Sequence, residues 1–337
     1  MPIQDIPFSI LDLAPIITGG TPAQSFRNTL DLAQHAEKWG YNRYWVAEHH
    51  NMPGIASSAT SVVIGYIAAG TEKIRVGSGG IMLPNHAPLV IAEQFGTLES
   101  MYPGRIDLGL GRAPGSDQVA ARALRRGLGS NGEDFPEQLN ELRHYFNPGE
   151  DARGVMPRAV PGEGLDVPIW LLGSSGFSAQ LAGHHGLPFA FASHFAPDFL
   201  VPALKLYRDN FRPSDVLAKP YAMAGVNVIM ADSDEAAAFL ATSQEQAFLN
   251  LIRGRMGQLN PPVDSMDGLW SEQEKMMVRK QLSFTITGTK AAVKEKLNDI
   301  IDQTGVDELI VVSQIYDHSA RLRSFELLAE VMNEDHA

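Results

Sequence analysis

Five short stretches carry the residues best suited to chemistry: Glu48-His49-His50, Gly77-Ser78-Gly79-Gly80, Gly111-Arg112, Gly173-Ser174-Ser175-Gly176 with Ser178 close behind, and Ser193-His194. Glycine has no Cβ, so Gly79 and Gly80 would let a flat ligand lie directly on backbone. Arg112 offers a permanent cation and a fork of donors. Gly173-Ser174-Ser175-Gly176 opens onto a helix, where free N–H groups and the positive end of the helix dipole favour a phosphate. Ser174, Ser175 and Ser178 add hydroxyl donors; the plainer reading of the same run is a capped strand-to-helix turn. A histidine at a strand end is a natural general base, since its ordinary pKa lies near neutral. His49 and His50 are adjacent, so on an extended chain they point to opposite sides and at most one faces a common site. His50, His86, His184 and His185 read as hydrogen-bonded or surface imidazoles, and His194 is open to either reading. A metal at His49 or His50 would need further ligands, with Glu48, His86 and His194 as candidates; their spacing follows no familiar ligand pattern, so no metal is expected.

These stretches need elements to hold them, and the chain supplies a regular alternation. Strands are read near 8–13, 43–47, 74–78, 106–110, 168–172, 188–192, 221–230 and 308–313, each followed by helical spacing. Thr21-Pro22-Ala23-Gln24 is a helix start, with a Thr cap, Pro at the first position and Gln three residues on. Ile55–Ala69 reads as a small-residue helix, apolar almost all round, which has to bury against its own core or a second subunit. Two excursions interrupt the pattern, near 147–167 and 253–284. The first is rich in Pro and Gly; the second has no clear period and holds Pro261-Pro262, Trp270 and Met276-Met277, which read as lid packing. Strict alternation at this length, without a linker, predicts one domain over 1–337, a closed (β/α)8 TIM barrel. An open doubly wound sheet is the alternative. In a barrel every strand's C-terminal end faces one mouth, so all five stretches would meet there.

The totals exclude several function classes. With 337 residues and a formal net charge of −12 at pH 7, the chain is poorly suited to nucleic acid or an anionic membrane as its main partner. It has no Cys, which removes disulfides, thiolate nucleophiles and thiolate metal sites. The N-terminal stretch has no basic leader and is interrupted by Asp5 and Asp12, so it does not read as a secretion signal. A cytoplasmic protein is expected. The serines lack a nucleophile-elbow setting, so acyl transfer has no support. The glycines from Gly109 to Gly115 are one residue too widely spaced for a dinucleotide fingerprint.

AEHH at 47–50, VGSGGIMLPNHAP at 76–88, YPGRIDLGLGRAPGSD at 102–117 and LLGSS at 171–175 together resemble the bacterial luciferase-like flavin monooxygenases, from about Ser9 to Val331. The resemblance implies a (β/α)8 barrel that uses reduced FMN and O2 on a small organic substrate. It also implies a separate reductase that supplies the reduced flavin, and a homodimer formed through the helix at 55–69. Carried over by position, His49 is the catalytic histidine, Gly79-Gly80 is a non-proline cis peptide beneath the flavin ring, and Arg112, Ser174, Ser175 and Ser178 contact the phosphate beside Gly173 and Gly176. Two departures from the luciferase subunit, Gly111 in place of Cys and Ser174 in place of Glu, put light emission and a long-chain aldehyde substrate in question. The alternatives are a deazaflavin-dependent hydride-transfer enzyme of the same superfamily and a flavin-binding protein without catalysis.

Overall fold

The computed structural model describes residues 3–113, 118–124, 132–149 and 157–334. Nine parallel strands run through it: β1 (Phe8–Asp12), β2 (Arg43–Val46), β3 (Arg75–Met82), β4 (Ile106–Gly111), β5 (Ile169–Gly173), β6 (Phe189–Phe191), β7 (Ala222–Met230), β8 (Thr285–Gly288) and β9 (Glu308–Val312). All but β8 form a closed ring in the order β1 to β7, then β9, then β1 again. The β6–β7 pairing, Phe189 with Ala222 through Phe191 with Ala224, rules out the open sheet. The ninth strand, β8, was not legible in the sequence. It pairs with the upper part of the long β7, Asn227 with Thr285 through Met230 with Gly288.

Around the ring lie α1 (Pro22–Trp39), α2 (Thr60–Ala69), α3 (Pro88–Met101), α4 (Gln118–Leu124), α5 (Phe135–Phe146), α6 (Gly176–His185), α7 (Leu200–Asp209), α8 (Asp234–Ile252), α9 (Glu272–Gln281), α10 (Lys290–Thr304) and α11 (His318–Asn333). Local chemistry sets their ends. Thr21 Oγ1 accepts the Gln24 N–H at the start of α1, and Gly40, at φ +85°, stops it in a left-handed turn that glycine adopts at little cost. Ser233 caps α8, its hydroxyl oxygen accepting the Ala236 N–H. The predicted helix at 55–69 begins five residues late, at Thr60.

The excursion near 253–284 is more ordered than its sequence suggests. It contains α9, opened by a capping box in which Ser271 and Glu274 satisfy each other's backbone N–H. Val278 is the one buried residue of α9, while Met276 and Met277 face solvent instead of packing beneath a lid. A helix with so narrow a buried face leaves almost no apolar period to read. In the other excursion, Ala159 is buried and Gly162 packs on Ala92; residues 150–156 lie outside the described residues.

Strand alternation divides the core in two. Outward side chains such as Ile10, Tyr44, Val76 and Leu108 pack under the helices, while Leu11, Trp45, Trp170, Met223 and Ile310 fill the ring. Trp45 meets Trp170 edge-on at 5.2 Å, and Trp170 meets Tyr221 at 5.6 Å. Below them Arg43 bonds Asp107 at 2.7 Å and Glu308 at 3.1 Å, and Arg75 bonds Asp107 at 2.6 Å. This charged plug closes the N-terminal end of the barrel and leaves the other end to open. Among the described residues no helix is long and apolar enough to cross a membrane.

Candidate active site

A cavity of about 460 Å³ occupies the C-terminal mouth of the barrel. His49, Gly79, Gly80, Arg112, Gly173, Ser174, Ser175 and Ser178 all line it. They come from the ends of β2, β3, β4 and β5, so barrel closure brings together residues separated by more than a hundred positions. Gly176 does not line it: as the first residue of α6 it packs against α7, where a Cβ would come within 2.8 Å of Leu206. Gly115, the last glycine of the run after β4, lies outside the described residues.

The cavity floor is bare backbone because β3 and β4 approach too closely for side chains. A Cβ on Gly80 would sit 2.6 Å from the Gly109 carbonyl oxygen, and one on Gly79 would sit 2.6 Å from Leu11. The Gly79–Gly80 peptide bond is cis. At the next strand end, Arg112 lies with its guanidinium carbon 4.1 Å from the centre of the Phe177 ring, in the first turn of α6. The cation is thereby held beside Ser174, Ser175 and Ser178. A Cβ on Gly173 would come within 2.7 Å of Ser178, so the turn between β5 and α6 closes tightly.

The strand end at 47–50 separates its three polar residues. His49 faces the cavity, and its carbonyl accepts a hydrogen bond from Ser58 Oγ at 2.8 Å. Glu48 is 1% exposed. Its carboxylate lies 2.8 Å from His50 Nε2, 2.9 Å from His86 Nε2 and 3.1 Å from the Met82 backbone nitrogen, which donates to it. Burial alone would raise its pKa; the hydrogen bonds from His50, His86 and Met82 outweigh that and hold it at about 2. His50 and His86 are therefore hydrogen-bonded imidazoles, as their sequence setting suggested. The ligand atoms of Glu48, His50 and His86 all fall within 4.8 Å of one another, close enough to hold a cation, and His194 is not part of that group.

The opposite wall was largely illegible in the sequence. His194 follows β6 and is half-buried over the bare Cα of Gly225, where any side chain would overlap its ring. Asn227 Nδ2 donates to the His194 carbonyl at 2.5 Å, and Ser193 Oγ donates to the Gly225 carbonyl at 2.6 Å. Burial, then the neighbouring His49, push the His194 imidazole down to about 4, so it is neutral at ordinary pH. Asn227 and Ser313 line the cavity too, as do Phe248 and Leu251 of α8. The usable signal for Asn227 was a lone amide in the otherwise apolar strand AMAGVNVIM.

Comparison with known proteins agrees with this architecture. A model of the luciferase-like monooxygenase family matches residues 6–308. The chain is 64% identical over 328 residues to the Bacillus subtilis protein YvbT, covering 97% of each. It is 57% identical over 333 residues to a luciferase-like monooxygenase of Escherichia coli strain K12, covering 98% of each. Among solved structures, apo-MsnO8 superposes with a TM-score of 0.85 at 34% identity, over 97% of this chain and 98% of that one. More distant matches share the fold alone: the oxygenating constituent of 3,6-diketocamphane monooxygenase from Pseudomonas putida, solved with FMN (TM-score 0.74, 19% identity, 97% of each chain), and an F420-dependent secondary alcohol dehydrogenase (TM-score 0.67, 14% identity, 97% of this chain and 99% of that one). With the family model matched across most of its length and a homologue of that name at 57% identity, the chain belongs to the luciferase-like monooxygenase family.

Proposed function

We propose that this protein is a flavin-dependent monooxygenase that takes reduced FMN and O2 and oxygenates a small organic substrate. The observation that carries the reading is the meeting, in one cavity, of a side-chain-free floor at Gly79-Gly80 and a cluster of anion donors at Arg112, Ser174, Ser175 and Ser178. The residues present fit such a cofactor. The floor cannot accept a Cβ, and the donor set is right for a phosphate monoester at the start of a helix. Ser174, Ser175, Ser178 and Arg112 would hold the phosphate, with Gly173 and Gly176 shaping the turn, and Gly79-Gly80 would support the ring. Once bound, the reduced flavin supplies the electrons that activate O2. His49 faces the same space and is the group placed to hold or move a proton there. Phe248, which is buried, covers the opposite side and keeps water from it.

Two further features support the wider reading. The run from Gly109 lacks dinucleotide spacing, which fits a separate reductase as the source of reduced flavin. Val62 and Tyr66 on α2 are 70% and 43% exposed, which fits a homodimer through that face. The test is a titration of the protein with FMN, riboflavin and a deazaflavin, followed by oxygen uptake with reduced FMN. FMN should bind best, and Arg112→Ala should weaken FMN by about tenfold or more while leaving riboflavin nearly unchanged. Equal loss for both ligands removes the phosphate assignment, and preference for the deazaflavin without oxygen uptake replaces the monooxygenase with a hydride-transfer enzyme.

A further inference from the structure

The half of the cavity facing the glycine floor has a different chemistry. In the ring of eight strands β7 stands opposite β3, and β6, β7 and β9 place His194, Asn227 and Ser313 on the far wall. Above them, α8 and the loop behind it bring Phe248, Leu251, Met256 and Leu259, with Phe195 beside them. Three of these, Phe195, Leu251 and Met256, are large, apolar and yet 37–43% exposed. Exposed apolar side chains gathered at the edge of one cavity mark an entrance suited to an apolar molecule.

The base of this half is polar and incompletely satisfied. His194 Nδ1 and Ser313 Oγ are buried, and among the described residues neither has a hydrogen-bond partner. Leaving a buried polar atom unpaired is unfavourable, so two on one cavity wall call for a partner from outside the chain. The wall also carries no net charge among the described residues. Arg321 reaches it, but its Nη2 bonds Asp12 at 2.8 Å and its Nε donates to the Ser313 carbonyl at 3.0 Å. His194 is held neutral by burial.

We propose that this half binds an uncharged organic substrate, its apolar body against α8 and the 256–259 loop and a single oxygen head group hydrogen-bonded at His194 and Ser313. Calling the ligand a substrate rests on the flavin reading above; the binding claim does not. A carboxylate or an ammonium in this place would lose its hydration without gaining a counter-charge, which weakens its binding. Asn227 acts as a positioning residue here, since its amide ties the backbone of His194.

The test needs no turnover. Methyl heptyl ketone, octanoate and octylamine are titrated calorimetrically into protein whose Arg112 anion site is filled, in one series by FMN and in another by inorganic phosphate. The ketone should bind at least about tenfold more tightly than either charged analogue, the difference expected from burying an unpaired ion. Ser313→Ala and His194→Phe should each weaken the ketone by about tenfold, a single lost hydrogen bond, with FMN affinity within about threefold of wild type. Ser313→Ala removes one oxygen atom and is the variant to rely on if His194→Phe fails to fold. Charged analogues that bind as well as the ketone, no saturable ketone binding, or Ser313→Ala with unchanged ketone affinity would each overturn the proposal. Loss of FMN binding alone, with ketone preference retained, would count against the flavin reading and leave this one standing.

Discussion

At the scale of single residues, Glu48 does the most structural work in the site. One buried carboxylate joins the loop after β2, which carries His49, to the end of β3 just beyond Gly79-Gly80. Its folded pKa of about 2 lies below the ordinary 4.5, so its contribution to stability is complete above about pH 4.5 and disappears as pH falls towards 2. The size of the shift corresponds to about 3 kcal/mol. Glu48→Gln should therefore lower the free energy of unfolding in urea by about 2–3 kcal/mol at pH 7, and the gap from wild type should fall to about half or less as both are titrated to pH 3. A gap independent of pH would mean that shape, not charge, is what the clamp supplies. His194 is the counterpart: burial, with His49 beside it, leaves its imidazole uncharged near neutrality.

At the scale of elements, the site depends on how closely β3 and β4 run. Ser78 Oγ donates to the Gly109 carbonyl at 2.8 Å, and a Cβ on Gly109 would overlap the Ser78 backbone. Gly80→Ala has no flexible side chain to displace, because its nearest neighbours are the carbonyl and carbon of Gly109 at 2.6 and 2.8 Å. It should cost about 3 kcal/mol in urea unfolding, the upper part of the range for overpacking. Gly149→Ala, which meets nothing within 4 Å, should stay within about 0.5 kcal/mol of wild type. Similar values for the two would show that the strands can part and that the floor is not rigid. The helices follow the same logic in reverse: α8 and α9 are held by caps and by a small cluster of Phe248, Leu249, Met266 and Val278, separate from the barrel core.

At the scale of the whole molecule, the charged plug closes one end of the barrel, and the wall of α8 shapes the other. Val62 and Tyr66 are exposed on α2, and α3, which packs against α2, exposes Val90 and Met101 at 42% and 54%. If two copies meet there, Val62→Glu should move the protein from dimer to monomer in sedimentation velocity, with the circular dichroism spectrum unchanged. A wild-type protein that sediments as a monomer at micromolar concentration would dismiss the dimer outright.

The sequence by itself determined the barrel. Eight apolar strands at regular intervals, with capped helices between them, admit few other closures, because each strand must bury both faces. It also marked out the glycine floor, Arg112, the serine turn and His49, since those residue types stand out at strand ends. It missed β8, whose four residues are too short to show a period, and α9, whose face is nearly all solvent. Tertiary structure alone decided which partners the polar groups at those strand ends take. It tied Glu48 to His50 and His86, turned Gly176 towards α7, and set His194 and Ser313 in a wall with unmet hydrogen bonds. The physical reason is that burial and the partner of a polar atom depend on neighbours distant in sequence, whereas strand period and helix caps are written locally.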